Sequence, residues 1–360
     1  MEDQFNHTRL MRFFSWLVHS QANLWIDIGK VETRLLSTRL PSLEAPIYVT
    51  GLARAGTTLL LNILESQARL TSFKYCDYYG VYTPFIAGRL FRALGLGDAK
   101  KSARAHDDGM LVNAYSPEAM EEILWMQFFD YLHVTDTTNV LRAETRHPEF
   151  ESVYRATLQK LLLCRNAERI VSKNNYNLTR IAYLANVFPD AYFVIAVRNP
   201  VDHIGSIVRQ HQRNLEHFST SYHLNYLRNA GHFEFGQARI PIAVDLDKTR
   251  YIEELWAQGR DVEGWAEYWN AIYAWTYREI LLDDKLSGRC KVVPFERLCS
   301  EAGSEIIDIL GFCNLEMNAD WVGEWNERID YQPNYSVPFS EDERGMIMGI
   351  CAETAKLYGY

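Results

Sequence analysis

The sequence predicts an α/β fold in which helices cover both faces of a central parallel sheet. Short apolar runs such as "PIYVTG" and "AYFVIAV" alternate with helix-length periodic segments along the 360 residues. This alternation is typical of βαβ units, which build parallel sheets. No repeat or low-complexity linker divides the chain. We therefore expect residues 1–360 to form one domain, with a helical extension over 1–45.

Residues 212–262 interrupt the alternation. They are rich in His, Asn, Gly and aromatic residues and only weakly periodic. We interpret them as a helical or loop insertion, a lid over the carboxyl edge of the sheet, where α/β proteins bind ligands.

The individual elements follow from apolar runs, caps and breakers. In the third predicted helix, Ser116 can cap, Pro117 suits the first turn and Glu118 complements the helix dipole. The predicted strands are "PIYVTG", "SFKYC" near 72–76, "ERIVSK", "AYFVIAV" and "CKVVPF". The predicted helices are residues 8–38, "TTLLLNILESQ", "YSPEAMEEILWMQFFDYL", "ESVYRATLQKLLLCRN", "NLTRIAYLANVF", "VDHIGSIVRQHQ", "GWAEYWNAIYAWTYREILLDDK", "SEIIDILGFC" and "SEDERGMIMGICAETAKLYG".

Composition narrows the class of partner. The formal net charge of -9 argues against a general nucleic-acid binder, which needs a basic field, but leaves room for a small anionic ligand. The six cysteines show neither C-x-x-C nor zinc-like spacing, which favours reduced thiols in a cytoplasmic protein and predicts no metal site. No apolar run reaches membrane-spanning length.

The stretch "GLARAGTT", residues 51–58, joins the first predicted strand to a helix. A glycine loop at a helix N-terminus presents backbone N–H groups and a positive dipole end to an anion. Thr57 and Thr58 add hydroxyl donors, and Arg54 adds a cation. The loop and the strand–helix pattern together predict a P-loop-type three-layer sandwich.

A nucleoside triphosphate with magnesium requires a lysine in this loop and a carboxylate after an apolar strand. Thr57 stands in the lysine position, and "AYFVIAV" ends in Arg198 rather than in an acid. Arg198 is followed, eight residues on, by Ser206 in a predicted helix. An arginine and a serine so placed can converge on a second phosphate. Two phosphate sites indicate a nucleotide that is phosphorylated at two places.

These motifs resemble those of the sulfotransferases that use 3'-phosphoadenosine-5'-phosphosulfate (PAPS), in particular the bacterial branch. "TGLARAGTTLL" is similar to that family's 5'-phosphosulfate loop, and "VRNPVDHIGSIV" to its 3'-phosphate motif. The resemblance runs from about residue 46 to the end. Supporting similarity lies in "FPDAYFVIAVRNP", "VVPFERL", "LYGY", "HDDGMLVNAYSPEAMEEILW" and "GHFEFGQARIP".

The resemblance implies in-line transfer of a sulfuryl group from PAPS to a small-molecule acceptor, without a metal, leaving 3'-phosphoadenosine 5'-phosphate. It implies that Lys173, at a strand end, touches the transferring group. Ala55 departs from the family's usual serine. The implied 5'-phosphosulfate contacts are Arg54, Ala55, Gly56, Thr57 and Thr58, and the implied 3'-phosphate contacts are Arg198 and Ser206.

The general base is the open question. Cytosolic members place a histidine just after the lysine, but this chain has Asn174 and Asn175 there, and asparagine cannot accept a proton. The resemblance to other branches makes Asp77 the first candidate, with His106 second. His232 is considered as an acceptor contact.

Weaker candidates are Glu118, Glu121 and Glu122, of which we expect at least two to be solvated or ion-paired. The Trp265, Tyr268, Trp269 and Ile272 stripe is predicted to be core, with the acceptor pocket as the alternative.

Two other functions remain open at this point. Ala55 and the missing histidine are also compatible with a catalytically altered nucleotide-binding protein of the same fold. A divergent P-loop kinase, with Arg54 in place of the lysine, would need Mg²⁺-dependent ATP binding. The acceptor, the choice between a hydroxyl and an amine, and the oligomeric state are not specified by the sequence.

Overall fold

At the centre of the molecule is a five-stranded, all-parallel sheet. It is seen in a computed structural model that describes residues 18–95, 102–103, 111–218, 220–329 and 339–360. Its strand order is β2-β5-β1-β6-β7. The strands are β1 (Ile47–Thr50), β2 (Leu70–Thr71), β5 (Arg169–Lys173), β6 (Tyr192–Val197) and β7 (Cys290–Pro294), and a separate antiparallel pair is formed by β3 (Ser102–Ala103) and β4 (Leu111–Val112). The predicted α/β class with a central parallel sheet is confirmed.

Helices cover both faces of this sheet. They are α1 (Ala22–Leu35), α2 (Thr57–Glu65), α3 (Pro84–Ala93), α4 (Glu122–Phe128), α5 (Pro148–Arg165), α6 (Ile181–Val187), α7 (Pro200–His217), α8 (Ser221–Ala230), α9 (Leu246–Ala257), α10 (Asp261–Thr276), α11 (Phe295–Ser300), α12 (Ala302–Phe312), α13 (Ala319–Arg328) and α14 (Glu341–Leu357). Within the described ranges, no helix has the length and apolarity needed to cross a membrane.

The strand predicted near 72–76 was wrong in position. The strand is Leu70–Thr71, and Tyr75–Tyr79 forms a 3-10 turn. The turn forms because the Asp77 carboxylate accepts the Lys74 backbone N–H at 2.7 Å, which closes a capping box.

The predicted helix start at Ser116 was also wrong, since α4 begins at Glu122. The Ser116 hydroxyl accepts the backbone N–H of Asn113 at 3.0 Å and so closes a turn instead of capping a helix. Pro117 pairs with Lys74 in an isolated antiparallel bridge. The chain is therefore still extended where the helix was expected.

Each central strand contributes side chains to two separate hydrophobic clusters, one on each face of the sheet. In β1, the Tyr48 side chain packs in one hydrophobic cluster, whereas Ile47 and Val49 pack in the other. All three are fully buried. Strand residues alternate between faces, so a sheet covered on both sides buries every position. This is why the strand sequences are continuous apolar runs.

Strand order brings three loops together. β1 pairs with β5 on one side and with β6 on the other, and Val49 lies in register with Lys173. All three strands run parallel, so their carboxyl ends meet at one edge of the sheet. The strand order reverses direction there, which is the position where open α/β sheets bind ligands. Loop 51–56 follows β1, Lys173 is the last residue of β5, and Arg198 follows β6.

A buried ionic network lies next to that edge. Glu122 and Arg180 form a bidentate pair at 2.7 and 2.8 Å, and both are almost fully buried. The His133 ring contacts the same carboxylate at 2.6 Å, and Asn174 donates to it at 2.5 Å. The network therefore connects α4 to the backbone that follows β5.

The two neighbouring glutamates are buried as well. Glu118 lies 3.5 Å from the Lys173 ammonium, and Glu121 accepts hydrogen bonds from Tyr154 and Asn177, each at 2.7 Å. Two of the three carboxylates are thus ion-paired, as expected, and none of the three is solvated.

Glu122→Gln should destabilise the fold by about 3–5 kcal/mol, because it leaves the Arg180 charge buried without its counterion. Burial alone would raise the Glu122 pKa, but Arg180 and His133 outweigh burial and lower it from 4.5 to about 2. The stabilisation is therefore complete above pH 4.5 and is lost as pH falls toward 2.

Urea unfolding from pH 7 to pH 2 would check this. The difference in the free energy of unfolding between wild type and Glu122→Gln should become smaller as pH falls from 4.5 toward 2. Glu327→Gln, at an exposed position of α13, should leave the free energy of unfolding unchanged. A constant gap at every pH would contradict the ionic role.

Candidate functional site

The loop after β1 needs glycine at both of its ends. Gly51 and Gly56 have φ of +144° and +98°, conformations that L side chains rarely adopt. A Cβ at Gly51 would lie 2.5 Å from the Ala196 carbonyl oxygen, and one at Gly56 would lie 2.5 Å from the Phe295 ring. The loop backbone therefore lies directly against β6 and α11, and α2 begins at Thr57.

Buried side chains of α7 and α10 hold the loop from behind. Burial lowers the pKa of His203 to about 3, so the ring is neutral. The Trp269 indole N–H donates to Nδ1 at 3.1 Å, and Nε2–H therefore donates to the Ala53 carbonyl at 2.9 Å. The Tyr273 hydroxyl accepts the Leu52 N–H at 3.3 Å and donates to the β6 backbone. Sequence analysis missed both contacts.

The two predicted phosphate anchors lie side by side. Arg54 has φ of +75°, and its Nε donates to the Ser206 hydroxyl at 3.1 Å. Arg198 is 8% exposed, lies over the Phe295 ring at 4.6 Å and donates to the Arg54 carbonyl at 3.4 Å. Within the described part of the chain, Arg198 Nε has no hydrogen-bond partner.

Thr57 and Thr58 open α2, so their amides have no acceptor within the helix. The buried Thr57 hydroxyl donates to Asn175 Oδ1 at 3.3 Å. Ala55 is 1% exposed and packs in the hydrophobic cluster on that face of the sheet. Its amide donates to the Leu52 carbonyl at 3.1 Å. Ala55 thus faces the core, where a serine would bury an additional hydroxyl.

Lys173 ends β5 and is almost buried. Its ammonium lies 3.5 Å from Glu118 Oε1. The other oxygen of that carboxylate accepts the Tyr75 hydroxyl at 2.8 Å. The lysine is therefore held in position by a buried counterion.

The first candidate base, Asp77, makes contacts that stabilise the fold. Asp77 is 5% exposed, and both of its carboxylate oxygens accept from Nη2 of Arg165 in α5, at 2.7 and 2.6 Å. It also caps the turn at Lys74. Both oxygens are engaged, and these contacts are not with the loop. His106, the second candidate, lies outside the described residues.

A small cleft lies beside the loop. It is lined by Leu52, Ala53, Asn175, Tyr176, Ile207, Glu234, Phe235, Ile240, Ile242, Trp256, Trp265 and Tyr268. All four members of the aromatic stripe are buried in the hydrophobic core, as predicted, and Trp265 and Tyr268 also line this cleft. The alternative, an acceptor pocket, stays a prediction.

Glu234 is the residue that sequence analysis missed in this cleft. Asn175 Nδ2 donates to Glu234 Oε1 at 2.9 Å, and His232 Nδ1 lies 3.8 Å from Oε2. The signal was a carboxylate between the two phenylalanines of "HFEF". Both phenylalanines are buried, while the Glu234 side chain keeps 18% exposure.

Comparisons with solved structures find sulfotransferases at low sequence identity. Sulfotransferase STF1 from Mycobacterium tuberculosis H37Rv is 16% identical over 95% of this chain and 86% of that chain, with a TM-score of 0.49. STF9 from Mycobacterium avium is 13% identical over 91% and 81%, with a TM-score of 0.48. A sulfotransferase from Alicyclobacillus acidocaldarius is 15% identical over 88% and 94%, with a TM-score of 0.41. No curated protein sequence matches the chain significantly.

The sequence also matches a family model, described as the sulfotransferase family, over residues 46–241. The match includes loop 51–58, Lys173, Arg198, Ser206 and Glu234. Because it covers more than half of the chain, the protein belongs to the sulfotransferase family.

Proposed function

We propose that this protein transfers a sulfuryl group from PAPS to a hydroxyl, or an amine, of a small-molecule acceptor. The observation that carries the proposal is the 3.1 Å hydrogen bond between Arg54 and Ser206. It places the loop and the second anchor next to each other at adjoining strand ends. A single ribose carries both the 5' and the 3' group of this nucleotide, so its two anchors have to be neighbours.

The 5'-phosphosulfate is assigned to the start of α2. The Gly56, Thr57 and Thr58 amides lie at the positive end of the helix dipole, where anions bind. Arg54 adds a charge at the same loop. Ala55 shapes the loop from the core side and donates its amide within the loop.

The 3'-phosphate is assigned to Arg198 and Ser206. A buried guanidinium N–H without a partner is uncommon, because an unmade hydrogen bond costs about 1–3 kcal/mol or more for charged groups. The unpartnered Nε of Arg198 is therefore suited to a phosphate oxygen. Ser206 supplies a hydroxyl two turns into α7.

Bound PAPS supplies a sulfuryl group already activated by its link to phosphate. Arg54 and Lys173 stabilise the negative charge that develops during transfer, because cations in a water-poor site act more strongly than in solvent. Glu118 Oε1, 3.5 Å away, holds the Lys173 side chain in place before the substrate arrives.

A nucleotide-binding protein without catalysis was the alternative. It drew support from the missing histidine, but Asn175 contacts a carboxylate in the cleft. This contact favours the enzyme. We also propose a cytoplasmic location, because all six cysteines are free.

Arg198→Ala should weaken binding of 3'-phosphoadenosine 5'-phosphate about 10- to 100-fold, because it removes a charge-assisted contact to phosphate. Isothermal titration calorimetry would measure this. The control is Arg250→Ala, a 65% exposed arginine of α9, for which the Kd should not change. Unchanged binding by the Arg198 variant would contradict the assignment.

Lys173→Met should lower kcat with ³⁵S-labelled PAPS about 10²- to 10³-fold, because it removes charge stabilisation that matters mainly in the transition state. The Kd of the bisphosphate product, which lacks the sulfuryl group, should change little. A parallel loss of product binding and of thermal stability would instead indicate a structural role in pairing Glu118.

A further inference from the structure

We propose that Glu234 is the base that takes the acceptor proton, that Asn175 positions it, and that the adjoining cleft selects an uncharged alcohol with an apolar body. The inference rests on the proposed PAPS-dependent transfer. It assigns to Glu234 a role that the missing histidine cannot fill in this chain.

Glu234 is connected to the phosphate loop through one side chain. The Asn175 amide accepts the Thr57 hydroxyl at 3.3 Å and donates to Glu234 at 2.9 Å. The carboxylate is thus one amide away from the first residue of α2. The same asparagine follows Lys173 by two residues. Glu234 therefore lies close to the groups assigned to the sulfuryl donor.

One carboxylate oxygen remains available. Oε1 accepts from Asn175, while Oε2 lies 3.8 Å from His232 Nδ1, beyond hydrogen-bond distance. The Glu234 side chain is 18% exposed, so a ligand in the cleft can reach it. Glu118 and Asp77 differ, because both oxygens of each are already engaged by neighbouring donors.

The backbone around Glu234 is fixed on both sides. The Phe233 N–H donates to the Tyr176 hydroxyl at 3.0 Å, and the Gly236 N–H donates to His211 Nδ1 at 3.0 Å. Burial lowers the pKa of His211 to about 4, so its ring is neutral and Nδ1 can accept. A functional carboxylate needs such a rigid frame to hold productive geometry.

The cleft indicates the acceptor class. Among the described residues that line it, Glu234 is the only carboxylate, and the rest are mainly aliphatic and aromatic. A carboxylate in an apolar wall repels anionic acceptors and accepts a hydrogen bond from a neutral hydroxyl. An uncharged alcohol with an apolar body matches the chemistry of this lining.

The step balances without a further reactant. The acceptor oxygen forms a bond to sulfur, while the bond from sulfur to the bridging phosphate oxygen breaks. The electron pair of that bond goes to the phosphate of the leaving bisphosphate. The acceptor proton goes to Glu234 Oε2, and the side chain, 18% exposed, can release it to solvent.

The test compares Glu234→Gln with wild type using ³⁵S-labelled PAPS, with 2-phenylethanol and 2,2,2-trifluoro-1-phenylethanol as probe acceptors. With 2-phenylethanol, kcat should fall about 10²- to 10⁴-fold, the usual contribution of general base catalysis. With the trifluoro alcohol, which is neutral but more acidic, the loss should be smaller, because its hydroxyl proton leaves more easily. Glu216→Gln, a 71% exposed carboxylate of α7, should match wild type with both acceptors.

Four outcomes would overturn the inference. Unchanged kcat in Glu234→Gln, or an equal loss with both acceptors, excludes the base. Wild-type transfer to anionic acceptors but to neither probe, or to no acceptor at all, excludes the proposed class. Calorimetry with the bisphosphate product separates these outcomes from failure of the nucleotide assignment, because a wild type that does not bind that nucleotide contradicts the proposed function itself.

Asn175→Ala tests positioning. Loss of a hydrogen bond to the charged carboxylate disfavours its ionised form. In the pH profile of kcat, the acid limb should therefore move to higher pH. His232, Tyr176 and Tyr268 face the same space, and each is unchanged in this variant. A lower kcat without movement of the acid limb would show that Asn175 only supports the fold.

Discussion

The parallel pairing of β1 with β5 on one side and with β6 on the other determines where every element of the site lies. Parallel strands end at the same edge of a sheet, so the loop after β1, Lys173 and Arg198 must be neighbours. The pairing depends on burial of both sheet faces, since each central strand supplies side chains to two separate clusters. Burial of apolar surface stabilises this arrangement by about 25 cal/mol for each Å² removed from water.

The site edge is held mainly by buried polar contacts. His203 and Tyr273 bond the backbone of the loop, and Glu122 with Arg180 supports the segment after β5. A left-handed backbone at Arg54 costs about 1–3 kcal/mol and persists only when its surroundings fix it. Each of these buried contacts adds little net stability, but removal of one partner would leave the other buried and unpaired, which is costly. The contacts therefore specify the conformation of the loop.

Much of the fold could be predicted from the sequence. Long periodic segments such as α5 and continuous apolar strands such as β6 appear where they were expected. The failures lie at Ser116 and at residues 72–76, where local rules allowed a helix start and a strand. Tertiary contacts determine the conformation of these two segments, because Lys74 pairs with Pro117 and Asp77 pairs with Arg165. Asp77 stood at the expected distance along the chain, but sequence distance does not report that Arg165 engages both of its oxygens.

The sequence by itself was sufficient to predict a phosphate loop at residues 51–58, its cation at Arg54 and a second anchor at Arg198 and Ser206, and these assignments stay predictions. These are local motifs whose spacing already implies their chemistry. Only the tertiary structure could bring Glu234 to Asn175, because the two residues are 59 positions apart and neither belongs to a periodic pattern. The tertiary structure also showed that Ala55 faces the core. Contacts between distant segments depend on how helices pack on the sheet, and no local spacing rule records that.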